Sequence, residues 1–230
     1  DNLSLDDTCY GKNILDKYTH KWLSVGGDKV GCKGGTNDVG EYITFCPRYV
    51  NTCLDNALEL IQKYNFNGIA FDMEGCLSLT PDVMNYINTW ITTNRSGLGQ
   101  NFKYVYVGGE FPSGYDSQNF SNFTYICPML YSNDNSYNDV TGAKKKIKNI
   151  LESWTKKGWL NDKIILTYQA ISAMGGRPSL DTDRSIDNIY KGKEVLKYLT
   201  NLLKNDNYVG LLGWPPVYDD FQKQQTDAYG

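Results

Sequence analysis

The sequence predicts an α/β fold built from repeated β-α units. Short apolar runs alternate with segments of helical periodicity along its 230 residues. The runs are near-continuous in apolar residues, as parallel strands covered on both faces are. No GxGxxG or GxxxxGK[ST] opens a helix, which removes the main support for a nucleotide-binding sheet. The candidates are a barrel or an open doubly wound sheet. A single domain over residues 1–230 fits the length.

The elements follow in order. "KWLSVGG" (21–27) reads as a strand stopped by two glycines, and a Gly-rich loop follows. Leu54, Ala57, Leu58 and Ile61 fall at helical spacing. "NGIAFDME" (67–74) is the next strand, and it ends in two acids, Asp72 and Glu74. Thr80 and Pro81 read as a helix cap and first turn, with Val83, Met84, Ile87 and Ile91 facing inward. "FKYVYVGGE" (102–110) and "FTYICPMLYSND" (123–134) are two further strands. In "GAKKKIKNILESWTKKG" the stripe is Ile147, Ile150, Leu151 and Trp154, and Gly158 is the stop. Its lysines, Lys144, Lys145, Lys146 and Lys148, read as a solvated helix face. "KIILTYQAIS" (163–172) is a strand. Residues 186–204 form a helix with Val195, Leu196, Leu199, Leu202 and Leu203 inward. "YVGLLGWPPVYDD" (208–220) is the last strand with its exit loop.

Composition excludes several functions. The net charge is −3 and the pI about 5.2, so nothing resembles a nucleic-acid footprint. No apolar run approaches a membrane span. The six cysteines, Cys9, Cys32, Cys46, Cys53, Cys76 and Cys127, include no CxxC pair, and His20 is the one histidine. A structural zinc site is therefore not expected, and no organic cofactor is implied. Disulfides in an oxidising compartment are the simpler reading, so the chain is expected to be secreted, with its signal peptide already removed. Sequons at Asn2, Asn94, Asn119 and Asn122 agree with that. A Ser-His-Asp or Cys-His enzyme would have to use His20, which reads instead as a polar residue at a strand entrance.

Polar residues gather where the strands end: Ser24, Asp72 with Glu74, Glu110, Tyr131, Gln169 and Trp214. In a (β/α)8 barrel the C-terminal face carries the active site. Asp72 and Glu74 leave one strand on the same side. Two buried acids repel, and one keeps its proton near neutral pH. A protonated carboxylic acid beside an ionised one suits glycoside chemistry.

These residues resemble glycoside hydrolase family 18, the chitinases and chitinase-like proteins. "SVGG" (24–27) resembles the SxGG that ends the family's third barrel strand. "NGIAFDME" resembles the DGxDxDxE of the fourth, "MLY" (129–131) the MxY of the sixth, and "GLLGWPPVYDD" the eighth strand. The resemblance covers residues 20 to 220. It implies a (β/α)8 TIM-barrel-like fold, incomplete at the N-terminus, because residues 1–20 contain no clear first or second strand. It implies that Glu74 is the general acid and that Asp72 orients the substrate's N-acetyl group. Tyr131 is its hydrogen-bonding partner, and Trp214 is the ring under the sugar. In the family the acetamido oxygen attacks the anomeric carbon, the substrate-assisted exception to the two-carboxylate scheme. Met129, Glu110 and Gln169 are expected along the groove. Tyr106 and Tyr168 stand equally for groove lining and for barrel packing.

Three departures follow from the same comparison. Asn67 and Ala70 replace the motif's first and middle Asp, and Ser132 stands where chitinases often carry Asp. Ala70 removes the buried partner that Asp72 would have. The partner expected from the resemblance is an oligosaccharide containing N-acetylglucosamine; a chitinase-like lectin using the same cleft, or a ligand-free storage barrel, are the other readings. The resemblance also suggests a Cys32–Cys76 bridge, with Cys46–Cys53 as a second pair. Cys127, within a strand, reads as a buried thiol.

Overall fold

Apolar runs bounded by Gly, Asn and Asp become strands, and amphipathic segments between them become helices. The structure, a computed structural model, describes residues 20–26, 50–73, 79–131, 139–169 and 186–214, with 50–53, 169, 186–192 and 214 as backbone alone. In chain order these hold β1 (Trp22–Gly26), α1 (Val50–Tyr64), β2 (Gly68–Asp72), α2 (Pro81–Leu98), β3 (Lys103–Gly108), β4 (Tyr125–Pro128), α3 (Val140–Thr155), β5 (Ile165–Gln169), α4 (Ile186–Asn205) and β6 (Gly210–Trp214). The chain forms two compact units, Asp1–Gly108 with Gln118–Tyr125, and Gly109–Ser117 with Ile126–Gly230.

In the first unit β1, β2, β3 and the start of β4 lie in that order. β1 and β2 are parallel, with Ser24 opposite Ala70 and Gly26 opposite Asp72. β2 and β3 are parallel, with Phe71 opposite Tyr106 and Asp72 opposite Val107. Asn67 fastens the lower end of all three. Its N–H donates to the Lys21 carbonyl (2.9 Å) and its own carbonyl accepts from Lys103 N–H (3.0 Å). Its Oδ1 accepts from Lys21 N–H (2.8 Å). Gly68 is required beside it, because a Cβ there would meet the Trp22 ring at 2.5 Å. That ring stacks on Tyr125, centroids 6.3 Å apart.

One face of this sheet is an aromatic layer under α2. Phe71 meets Trp90 edge-on at 6.1 Å and Phe123 at 5.7 Å. Helix α2 begins where expected: Thr80 is its N-cap, accepting from Val83 N–H, and Pro81 opens the first turn. It buries Val83, Met84, Ile87 and Ile91 as predicted, and Trp90 besides. Helix α1 buries Leu54, Ala57, Leu60 and Ile61. Leu58, expected inward, is half-buried. The stripe is centred on Ala57 and Ile61, and Leu60 lies on its better-covered flank.

In the second unit β5 and β6 are parallel, with Gln169 opposite Trp214. A parallel bridge joins Ile126 of β4 to Ile164. Helix α3 is capped by Asp139, whose carboxylate accepts from Gly142 N–H at 2.7 Å, so it starts two residues before the predicted segment. It buries Ile147, Ile150, Leu151 and Trp154 as read from the sequence. Gly158 has φ 92°, open to glycine at no steric cost, and ends the turn that follows. On α4 Val195 and Leu199 are buried, while Leu196, Leu202 and Leu203 are half-buried. The fold is α/β with parallel strands, and the described strands do not close a barrel.

Candidate functional site

The side chains singled out at strand ends divide between the two units. In the first, Asp72 is the last residue of β2 and is 5% exposed. The strand continues one bond further, Met73 N–H donating to the Val107 carbonyl at 2.9 Å. Residues in register share a face, and alternate residues switch face. Phe71 lies in the aromatic layer under α2, so Asp72 and Ala70 belong to the opposite face, with Gly26, Ser24, Val105 and Val107. Every neighbour of Asp72 in that register is small or a valine. Gly26 has φ 106°, a backbone that L side chains rarely adopt. Ser24 is exposed and Ala70 half-buried, and the residues in register one step beneath Asp72, Ser24, Ala70 and Val105, include no acid. Glu74 and Cys76 lie outside the described residues.

Tyr106 does not share that face. It stands opposite Phe71, is 3% exposed, and packs edge-on against Phe120 (5.0 Å) and Phe123 (5.7 Å). Of the two readings of Tyr106, its contacts match barrel packing. A strand covered on both faces carries no polar side in its sequence, so which face looks inward was not legible there.

In the second unit Met129 and Tyr131, both half-buried, follow directly on β4. Thr167 holds this exit. It is 2% exposed. Its hydroxyl donates to the Pro128 carbonyl at 2.6 Å and accepts from Leu130 N–H at 2.8 Å. The hydroxyl thus satisfies two backbone groups of the turn carrying Met129 and Tyr131. Gln169 and Trp214 end β5 and β6 and are partners in register. Tyr168 is one residue out of step with that pair. Its ring lies over Gly213, where a Cβ would meet the phenol at 3.1 Å.

Glu110 is turned to a helix. Its carboxylate pairs with Lys146 of α3 at 2.8 Å and is 53% exposed. The adjoining backbone is fastened to the same helix: Trp154 Nε1 donates to the Gly109 carbonyl (3.0 Å) and Phe111 N–H to Ser153 Oγ (2.8 Å). This ion pair turns Glu110 towards α3 and takes Lys146 out of the solvated face read from the sequence, while Lys144 lies over the Tyr198 ring and Lys148 pairs with Glu152. The remaining expectations meet the structure unevenly. His20 is exposed just before β1. Cys127 is buried, as a thiol. Cys9, Cys32, Cys46 and Cys76, and the Cys53 side chain, lie outside the described residues, and with them both suggested bridges. Among the described residues no helix is long and apolar enough to cross a membrane, and no three His, Cys, Asp or Glu converge as a metal site.

With α/β units, parallel strands and a buried acid at a strand tip in place, the comparison with solved structures is decisive for the fold. In fold, the chain is like a family 18 chitinase. The family 18 chitinase from Crocus vernus matches with a TM-score of 0.63 at 18% identity, over 99% of this chain and 78% of its own. The catalytic domain of a family 18 chitinase from the fern Peteris ryukyuensis matches at 0.61 and 14% identity, over 99% and 80%. The chitinase RmChi1 from Rhizomucor miehei matches at 0.60 and 13%, over 97% and 87%. No family model and no curated protein matches the sequence. Against that chitinase fold, the departures differ in weight. Asn67 accepts from Lys21 N–H with an amide oxygen, a bond that the carboxylate of an Asp at this position could also accept. Ala70 supplies no hydrogen-bonding side chain, and the register sets it between Ser24 and Val105 in the layer under Asp72.

Proposed function

We propose that this protein is a glycoside hydrolase acting on glycans that contain N-acetylglucosamine, chitin or chito-oligosaccharides, with retention of configuration. One observation carries the reading: a buried Asp72 closes β2, two residues before Glu74, in a chain whose fold matches family 18 chitinases along nearly its whole length. In this reading the chain is one (β/α)-barrel domain and works outside the cell, where its cysteines suit the redox conditions.

The chemistry assigns each group a task. Glu74, protonated, gives its proton to the glycosidic oxygen as the bond to the anomeric carbon breaks. The substrate's acetamido oxygen forms the new bond to that carbon from the opposite side, giving a cyclic cation. Asp72 holds the acetamido N–H and balances that charge, and the Tyr131 hydroxyl donates to the acetamido oxygen. Water then opens the ring on the face the leaving group left, and Glu74 takes its proton back. The Trp214 ring supports the apolar face of the sugar, with Met129, Tyr168 and Gln169 beside it.

A second reading keeps the cleft and drops the turnover: a chitinase-like carbohydrate-binding protein. Ala70 favours it, because the position beneath Asp72 on β2 carries no carboxylate. Hydrolysis of a fluorogenic N-acetyl-chito-oligosaccharide separates the two. Turnover in the wild type that Glu74→Gln abolishes supports the hydrolase. Binding of the same sugar without turnover in either protein establishes the binding-only reading, and neither binding nor turnover removes both.

A further inference from the structure

A groove of about 400 Å³ opens in the second unit between the C-terminal halves of α3 and α4. It lies at the start of β5 and β6, the opposite end of those strands from Gln169 and Trp214. Its lining includes the apolar Leu151 and Leu202 and the aromatic Tyr198 and Tyr208. Both tyrosines are half-buried. Burial, with the Asp206 carboxylate behind it, pushes both phenols above their ordinary range, Tyr208 to about 12, so both are neutral donors under physiological conditions. Among the described residues neither hydroxyl has a hydrogen-bond partner, and Asp206 has no ion pair. Asp206 is fixed all the same, since Asn161 Nδ2 donates to its backbone carbonyl at 2.9 Å. At the other rim Glu152 is shared by Lys156 (3.0 Å) and Lys148 (3.6 Å).

The lining decides the class of ligand. A purely apolar molecule would bury two phenols and a carboxylate without partners, which is unfavourable by roughly 1–3 kcal/mol for each group. An anion would face Asp206 and Glu152, and a cation would face Lys148. A neutral molecule with several hydroxyls meets donors and acceptors together, and an apolar C–H face on it suits a phenol ring. The volume lies within the range of small-ligand sites.

We propose that this groove is a second binding site, for one neutral saccharide unit, separate from the strand-end cleft. The choice of a sugar among neutral polyhydroxy ligands rests on the reading of the preceding section. Tyr198 would stack on the sugar from the side opposite Lys144, whose ammonium lies 5.7 Å from the ring centre. The Tyr208 hydroxyl and Asp206 would bond its hydroxyls. A glycan held here would run over the helical side of the unit and not into the cleft.

The test is an amide-resolved NMR titration of the full chain carrying Glu74→Gln, with N-acetyl-chitotriose as the probe. Saturable shifts are expected around Tyr198 and Tyr208, with a second set at Gln169 and Trp214. Tyr198→Ala should weaken the first set at least tenfold and leave the second unchanged. Tyr208→Phe, which keeps the ring's packing, should weaken the first set about threefold. Shifts at the strand ends alone would overturn the groove site and leave the proposed function standing. Shifts at the groove alone would do the reverse, and no shifts anywhere would overturn both.

Discussion

The exit of β4 hangs on one hydroxyl, and Thr167→Val removes it with little change of shape. The variant replaces two hydrogen bonds of 2.6 and 2.8 Å with a methyl group. Leu130 N–H is left as a buried donor without its partner, a penalty of about 1–3 kcal/mol. The Pro128 carbonyl loses one partner, a net loss of about 0.5–1.5 kcal/mol. Burying a methyl in place of the hydroxyl returns about 1 kcal/mol. The net expectation is a destabilisation of about 2 kcal/mol. Urea unfolding should show a lower midpoint with an unchanged slope. Turnover should fall as well, because the slackened turn carries Met129 and Tyr131. Thr167→Ser keeps the hydroxyl and should recover most of both. A Thr167→Val protein within about 0.5 kcal/mol of wild type would refute the reasoning, since a change that small marks a site without such features.

Three further outcomes follow from the same geometry. Asn67→Asp should leave stability nearly unchanged, whereas Asn67→Ala should lower it by about 1–2 kcal/mol in urea unfolding, because only the latter leaves Lys21 N–H without its side-chain acceptor. Ala70→Asp should place a second acid on the face of Asp72, raise the pH at which the pair loses its shared proton, and move the acid limb of the turnover profile accordingly; an unmoved limb would show that the two positions do not communicate. Tyr208 has a folded pKa of about 12 against 10.0 for the free phenol. Its contribution to stability is therefore complete below pH 10 and lost as pH rises through 12, and Tyr208→Phe should flatten the alkaline decline seen by circular dichroism across that window.

Much of the fold was written in local chemistry. Thr80 with Pro81 marked the start of α2, and Gly158 marked the turn after α3, because caps and left-handed turns depend on single residues. Four residues of the α3 stripe were read, since one strongly amphipathic helix leaves little ambiguity about its face, and only the small Ala143, also buried, escaped the reading. Tyr106 and Glu110 were not legible. The first sits on a strand apolar on both sides, so alternation fixes that Tyr104 and Tyr106 agree without saying where they look. The second is decided by Lys146, thirty-six positions away, and by the bonds that draw Gly109 and Phe111 onto α3. The groove between α3 and α4 was invisible for a related reason. Tyr198 and Tyr208 lie on different elements, and only packing makes them neighbours. Asp72 was legible as a buried acid because "GIAF" precedes it, while its small neighbours became visible only with the register.

The order of the strands in each sheet repeats their order along the chain. Neighbours in space are therefore neighbours in sequence: α1 lies between β1 and β2, α2 between β2 and β3, and α4 between β5 and β6, while β3 runs to β4 through a short 3-10 turn alone. Such an arrangement keeps loop-closure entropy modest at every step. Each β-α-β segment can form on its predecessor without threading, so the polypeptide can mature progressively as it leaves the ribosome. Amide protons of Val25, Ile69 and Val105 should then exchange as one cooperative block and those of Leu166 and Leu211 as another, each opening without requiring the other to dissolve.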